Sequence, residues 1–142
     1  MIEPLLLDTH IVLWLDSGND RLLPSTRALV ETSRRGGGTV LVSAVTAWEI
    51  ALFADTERIV LDVSVEAWLR RFVERPGIEA VPLDHLAASR SYRLHNLETR
   101  DPADRLLIAA AIERGCPLVT YDARIRRFGE RHGRDYGFSV TA

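Results

Sequence analysis

The 142-residue chain contains no lysine: its 18 basic side chains are all arginine, set against 20 acidic ones. That absence removes several chemistries. A phosphate-binding P-loop ends in a lysine, and Schiff-base catalysis needs a lysine amine. A phosphoacceptor receiver domain, similar in length, also relies on a lysine. Cysteine is nearly absent. Cys116 stands alone, so no internal disulfide can form and a reducing, cytoplasmic setting is expected. Its context, Gly115 before it and Pro117-Leu118-Val119 after it, reads as the start of a buried strand, and packing is the expected role of the thiol. No apolar run reaches the ~20 residues of a membrane helix. Asp8 and Asp16 interrupt the N-terminal apolar stretch, so no signal peptide is expected. The formal charge of −2 provides no strongly basic coat for nucleic acid, although local contacts stay open.

What is present is 46% apolar and of a length that suggests one domain over residues 1–142. Leu5-Leu6-Leu7 is a short apolar run, followed by a helical stretch from Thr9 to Leu15. Pro24 opens a helix through about Arg34, stopped by Gly36-Gly37-Gly38. Thr39 to Val42 reads as a second strand, and Ser43 caps a long apolar helix through about Ala54. A further helix spans about Ser64 to Arg75, and a weaker strand spans Ile78 to Leu83. Asp84 caps a helix through about Leu94; Asp101-Pro102 starts an apolar helix that Gly115 ends. Pro117 to Tyr121 and Phe138 to Thr141 complete the strands. Short apolar strands alternating with helices predict an α/β fold, a mainly parallel sheet of four to five strands between helical layers.

In such folds ligands gather beyond the carboxyl ends of the strands, where strand order reverses. Asp8, Ser43 and Asp122 follow three of the predicted strands. Glu49 lies in a helix so apolar that burial is expected, and a buried carboxylate is costly unless it is paired or metal-bound. A carboxylate reaching solvent through a gap in the packing is the alternative. Asp104 falls at the third helical position after Asp101. An acid there stabilises the helix dipole by roughly 0.3–1 kcal/mol, but Leu107, Ile108 and Ala111 put its side chain over the inward stripe. Asp101 is accounted for as an N-cap. Asp8, Glu49, Asp104 and Asp122 around one sheet end would repel unless cations neutralised them, and their oxygens suit magnesium or manganese. The four histidines, His10, His85, His95 and His132, form no pair at ligand spacing, so zinc does not fit.

These residues resemble the PIN-domain ribonucleases, most closely the toxins of the VapBC toxin–antitoxin class. The resemblance runs through Leu7-Asp8-Thr9-His10 with Leu13-Trp14, then Val42-Ser43-Ala44-Val45 with Trp48-Glu49-Ile50-Ala51. It continues through Arg100-Asp101-Pro102-Ala103-Asp104-Arg105-Leu106-Leu107-Ile108-Ala109 and ends in Leu118-Val119-Thr120-Tyr121-Asp122. It implies a PIN-like three-layer α/β/α fold, metal-dependent endoribonuclease activity, a homodimer and inhibition by a cognate VapB-type antitoxin. Asp8, Glu49, Asp104 and Asp122 match the family's acidic quartet. By the resemblance, Asp8 and Asp104 bind Mg²⁺ or Mn²⁺ most directly, and Asp122 and Glu49 complete the shell or position water. Thr9, Ser43, Asp101 and Thr120 would orient these ligands, with capping and strand-end bonding as the alternative. After Ala51 the chain departs from its relatives: Leu52 to Arg58 lacks their lysine and glycine-lysine turn.

Two other functions remain open from sequence: an RNA-processing or DNA-active nuclease without an antitoxin, and a non-catalytic PIN-like interaction module using Trp14, Trp48, Trp68 and Phe53. Core packing is the alternative for those aromatics. Arg105 either contacts phosphate or pairs with an acid on an exposed helix. Arg124, Arg126, Arg127, Arg131 and Arg134 form either a phosphate-tracking rim or a solvated helix face balanced by Glu130 and Asp135.

Overall fold

The computed structural model describes residues 3–142. Strand β1 (Leu5–Leu7) is three consecutive buried leucines because it occupies the middle of the sheet and is covered on both faces. Around it lie β2 (Val40–Ser43), β3 (Ile78–Val81), β4 (Leu118–Val119) and β5 (Val140–Thr141). The order is β3-β2-β1-β4-β5, and every pairing is parallel. The expected mainly parallel sheet is thus an all-parallel one of five strands, in a PIN-like α/β/α arrangement. Helices α1 (Thr9–Ser17), α2 (Pro24–Arg35), α3 (Ala44–Asp55), α4 (Val65–Val73), α5 (His85–Arg90), α6 (Pro102–Arg114) and α7 (Ala123–Tyr136) flank it.

Strand alternation sorts the core into two layers. Leu6, Leu41 and Leu118 meet Leu107 and Ile108 of α6 and Ile125 and Phe128 of α7. Leu5, Leu7, Val40, Val42 and Val119 meet α1, α2 and α4 through Ile11, Val12, Val30, Trp68 and Phe72. Cys116 lies in the first layer, where burial pushes its thiol up, as packing requires. Helix starts follow local chemistry. Asp8, Ser43, Ser64, Asp84, Asp101 and Asp122 each accept a backbone N–H at the helix they open; α2 begins with Pro24 instead.

Several elements are shorter than their sequence pattern. β3 stops at Val81 because Pro82 has no N–H for the ladder. β4 stops at Val119, and the Tyr121 N–H turns to the His10 ring instead of a strand. α5 stops at Arg90, where the Ser91 hydroxyl donates back to the Ala88 carbonyl. From sequence, α7 is expected without bounds and only as one of two alternatives, a solvated helix face carrying Arg124 to Arg134. Gly129 and Gly133 interrupt its apolar pattern, and both are there for close approach. A Cβ on Gly133 would stand 2.3 Å from the Phe138 carbonyl oxygen, and one on Gly129 would stand 3.1 Å from a Val140 methyl.

Helix α3 corrects another expectation. Apolar on all sides, it is nonetheless only partly buried: Trp48 is 58% exposed and Leu52 40%. Just after this helix Glu57 adopts φ 59, a left-handed conformation unfavourable for a side chain. Among the described residues no helix is long and apolar enough to cross a membrane.

Because all strands are parallel, their carboxyl ends share one side. The chain runs outward from β1 to β2 and β3, then returns to lay β4 and β5 on the other side of β1. The reversal lies between β1 and β4, the place where such sheets bind ligands.

Candidate functional site

Asp8 leaves β1 at this reversal and is 5% exposed. Its Oδ1 accepts the Thr9 N–H at 2.7 Å, and its Oδ2 accepts the Thr120 hydroxyl at 2.7 Å. The Thr120 oxygen in turn accepts the Asp122 N–H at 3.0 Å. One hydroxyl therefore ties the carboxylate after β1 to the residue after β4. Asp122 caps α7 through Oδ1 alone, accepting from Arg124 and Ile125 N–H at 2.9 and 3.1 Å.

The same device recurs at α6. The Thr99 hydroxyl accepts the Asp101 N–H at 3.2 Å and donates to Asp104 Oδ2 at 3.2 Å. Asp101 caps α6 through Ala103 N–H at 3.0 Å, as its sequence context predicted. It is also a fifth acid at the site, since its charge acts on both Glu49 and Asp104. Glu49 projects from α3, and its Oε1 accepts the Thr9 hydroxyl at 2.5 Å. That fixes the direction of the neighbouring contact: the Thr46 hydroxyl, 3.1 Å from the Thr9 oxygen, is the donor.

The electrostatics show that these acids share one field. Burial pushes the Asp8 carboxyl up, against the pull of His10 and the Thr120 and Thr9 hydrogen bonds, and Asp122 pushes it further. Burial raises Glu49, the Thr9 bond opposes it, and Asp8 and Asp101 add to the rise. Asp104 is pushed up to about 7, first by burial and then by Asp101, Asp8 and Asp122. Among the described residues no arginine forms an ion pair with any of the quartet; the one basic neighbour is His10, whose Nδ1 lies 3.6 Å from Asp8 Oδ2. Its Nε2 accepts the Tyr121 N–H at 3.1 Å, which turns Nδ1 toward Asp8.

The donor set is all oxygen and carries surplus negative charge, which suits a hard divalent cation. Among the described residues, no three His, Cys, Asp or Glu side chains already form a group able to hold a metal ion. The donor chemistry of these residues fits a hard cation, and Asp8, Glu49, Asp104 and Asp122 are the side chains that would hold it.

Several sequence candidates have other roles. Ser43 caps α3 through the Val45 N–H at 3.0 Å. Arg105 forms no ion pair with an acid among the described residues. Its guanidinium donates to the Ser91 and Leu97 carbonyls at 3.1 and 3.3 Å, pinning the segment between α5 and α6, and its Nε is buried without a partner. Arg126 donates from Nη1 to the Thr120 carbonyl at 3.1 Å. Trp68 is core, 4% exposed, unlike Trp48. Sequence reasoning missed Thr99, His10 and Thr46. Thr99 had a local signal, the Thr-x-Asp spacing it shares with Thr120; His10 and Thr46 had none beyond adjacency to the motifs.

Ribonuclease VapC22 of Mycobacterium tuberculosis is 34% identical over 129 residues, covering 91% of this chain and 93% of that protein. Among solved structures, VapBC2 from Rickettsia felis bound to a promoter DNA fragment matches 97% of both chains with TM-score 0.69 at 15% identity. DNA-bound VapBC from Salmonella typhimurium matches 99% of this chain and 98% of that one, with TM-score 0.67 at 19% identity. At such identities the two structures speak for the fold. The PIN domain family matches residues 5–131, from the first strand into the last helix, and the chain belongs to that family.

Proposed function

We propose that this protein is a metal-dependent endoribonuclease and the toxin of a type II toxin–antitoxin pair. One observation carries the reading. Four carboxylates share one field, three of them held by threonine hydroxyls, and none has an arginine ion-pair partner among the described residues. A purely structural cluster would be neutralised by basic side chains. The 34% identity to a VapC ribonuclease supplies the substrate class. The likeness to VapBC structures makes a VapB-type antitoxin the partner, and a homodimer is part of the same reading.

In this reading residues 1–142 form a single PIN domain acting in the cytoplasm. Asp8 and Asp104 hold Mg²⁺ or Mn²⁺ most directly, and Asp122 and Glu49 complete the shell or position water. The bound cation supplies a water of lowered pKa and offsets charge on the phosphodiester. Thr120 and Thr99 fix the orientation of Asp8 and Asp104, and Thr9 fixes Glu49. A side chain held by such bonds needs less reorganisation when it takes up a ligand. A non-catalytic module is not favoured, because the chain is 34% identical to a protein named as a ribonuclease.

The test is cleavage of RNA by purified protein with Mg²⁺ or Mn²⁺. Asp8→Asn and Asp104→Asn should each lose cleavage by about 100-fold or more while keeping the far-UV circular dichroism of the wild type. Variants that cut at the wild-type rate would show that the acids do not carry the reaction.

A further inference from the structure

The arginines of this chain are unevenly employed. Arg75 holds Asp16, Arg34 holds Glu31 and the Pro76 carbonyl, Arg105 holds two carbonyls, and Arg126 holds Thr120. Of four others on α7, only Arg127 has an ion-pair partner among the described residues, the exposed Glu98. Arg124, Arg127, Arg131 and Arg134 recur at spacings of three and four, which puts them on one helix face. All four are exposed. The core face of α7 is a different one, carried by Ile125 and Phe128.

The stripe starts two residues after Asp122, at the carboxylate cluster, and runs for about 15 Å at 1.5 Å per residue. That length accommodates about four phosphates of one stacked strand. Near the cluster it forms the wall of a small cleft, where Arg124, Arg127 and Arg131 are joined by Asn96 and His132. The one carboxylate in that cleft, Glu98, pairs with Arg127 at 3.3 Å. Both partners are well exposed, so the pair exchanges readily for another anion. Glu130 and Asp135 stand one helical turn from Arg134 and Arg131 and line a second cleft with them, which offsets part of the charge at the far end of the stripe.

We infer that Arg124, Arg127, Arg131 and Arg134 form a phosphate track that leads a single RNA strand along α7 to or from the carboxylate cluster. The identity of the polyanion rests on the ribonuclease reading; the track itself rests on the placement of these arginines. With no lysine in the chain, arginine supplies every side-chain cation available for phosphate at neutral pH.

The experiment measures binding of a mixed-sequence 12-nucleotide single-stranded RNA by fluorescence anisotropy across a salt series. All proteins carry Asp104→Asn, which keeps the probe uncut. Combined Arg124→Gln, Arg131→Gln and Arg134→Gln should lower the slope of log K against log salt by about 2, from ~0.7 per lost contact. Arg131→Gln alone should lower it by about 0.7. These positions are exposed and glutamine keeps helix propensity, so the melting temperature should not fall. Arg70→Gln with Arg71→Gln, on α4 in the opposite layer, should leave the slope unchanged. An unchanged slope in the triple variant overturns the track. So does poly-glutamate binding as tightly as RNA with the same loss, because the face is then a site for an acidic protein. A parallel cleavage assay of the protein without Asp104→Asn separates the two readings. Cleavage with an unchanged slope leaves the nuclease and removes the track. No cleavage with the slope lowered leaves the track and removes the nuclease.

Discussion

Asp16 and Asp104 are both partly buried aspartates on helices that flank the sheet, and they sit in opposite electrical surroundings. Asp16 accepts the Arg75 guanidinium at 2.5 Å and the Trp68 indole N–H at 3.1 Å, and Arg75 itself lies over the Phe72 ring. Its charge is matched, and it ties α1 to α4 and the segment beyond it. Asp104 accepts one threonine hydroxyl, and the charges acting on it are those of Asp101, Asp8 and Asp122. The contrast shows how to tell a carboxylate that holds a fold from one available to a ligand. Burial alone does not separate them; the sign of the neighbours does. Arg105 and Arg131 differ in the same way, one fixed on backbone carbonyls and the other exposed beside a cleft.

Substitution at the two aspartates should break in opposite directions. Asp16→Ala strands Arg75 and the Trp68 N–H, and should cost about 2–3 kcal/mol in chemical denaturation, less than a fully buried pair because both partners reach solvent. Its folded fraction should cut RNA normally. A stability equal to wild type would mean that the Asp16 pair holds nothing. Thr120→Val tests the hydroxyl that joins Asp8 to Asp122. It should weaken Mg²⁺ or Mn²⁺ binding about 10–100-fold by titration calorimetry, beyond the loss of about 1–3 kcal/mol of stability expected from the hydrogen bonds it removes. Equal affinity would reduce Thr120 to a strand-end bond.

The smallest effect is in pH. Asp104 has its carboxyl pushed up to about 7 from the ordinary 3.8, so the native chain holds a proton that the unfolded chain has released. Stability from this group is full below about pH 4 and is lost as pH rises through about 7. Burial raises Asp8 and Glu49 as well, and they act in the same sense. The metal-free wild type should therefore lose melting temperature between pH 5 and pH 8 more steeply than Asp104→Asn. Divalent cation at pH 8 should restore it in the wild type and do little for the variant. Parallel pH curves for the two proteins would contradict the assignment.

Much of the fold was legible locally. Capping acids and serines precede six helices, Pro24 opens the seventh, and three-residue apolar runs mark central strands. The bounds of α7 were less legible, because the glycines that admit the Phe138–Val140 segment disguise its periodicity. Of the site, the four acids stood out by residue type and by position after strands or on apolar helices. The partial exposure of α3 did not, because composition states what a helix prefers to touch and is silent on whether the chain provides it.

By itself the sequence determined which residues are acidic, which helices they cap, and that no lysine can serve phosphate. These follow from side-chain chemistry and from spacing within a few residues. The tertiary structure alone decided the partners. Thr120 reaches Asp8 across 112 residues because β4 pairs beside β1, and His10 reaches the Tyr121 backbone for the same reason. Arg105 lost its candidacy for phosphate to the loop that folds over it, while α7 turned its other arginines outward. Spacing along a chain encodes periodicity and caps. Which charges meet depends on strand order, and that is a property of the assembled sheet.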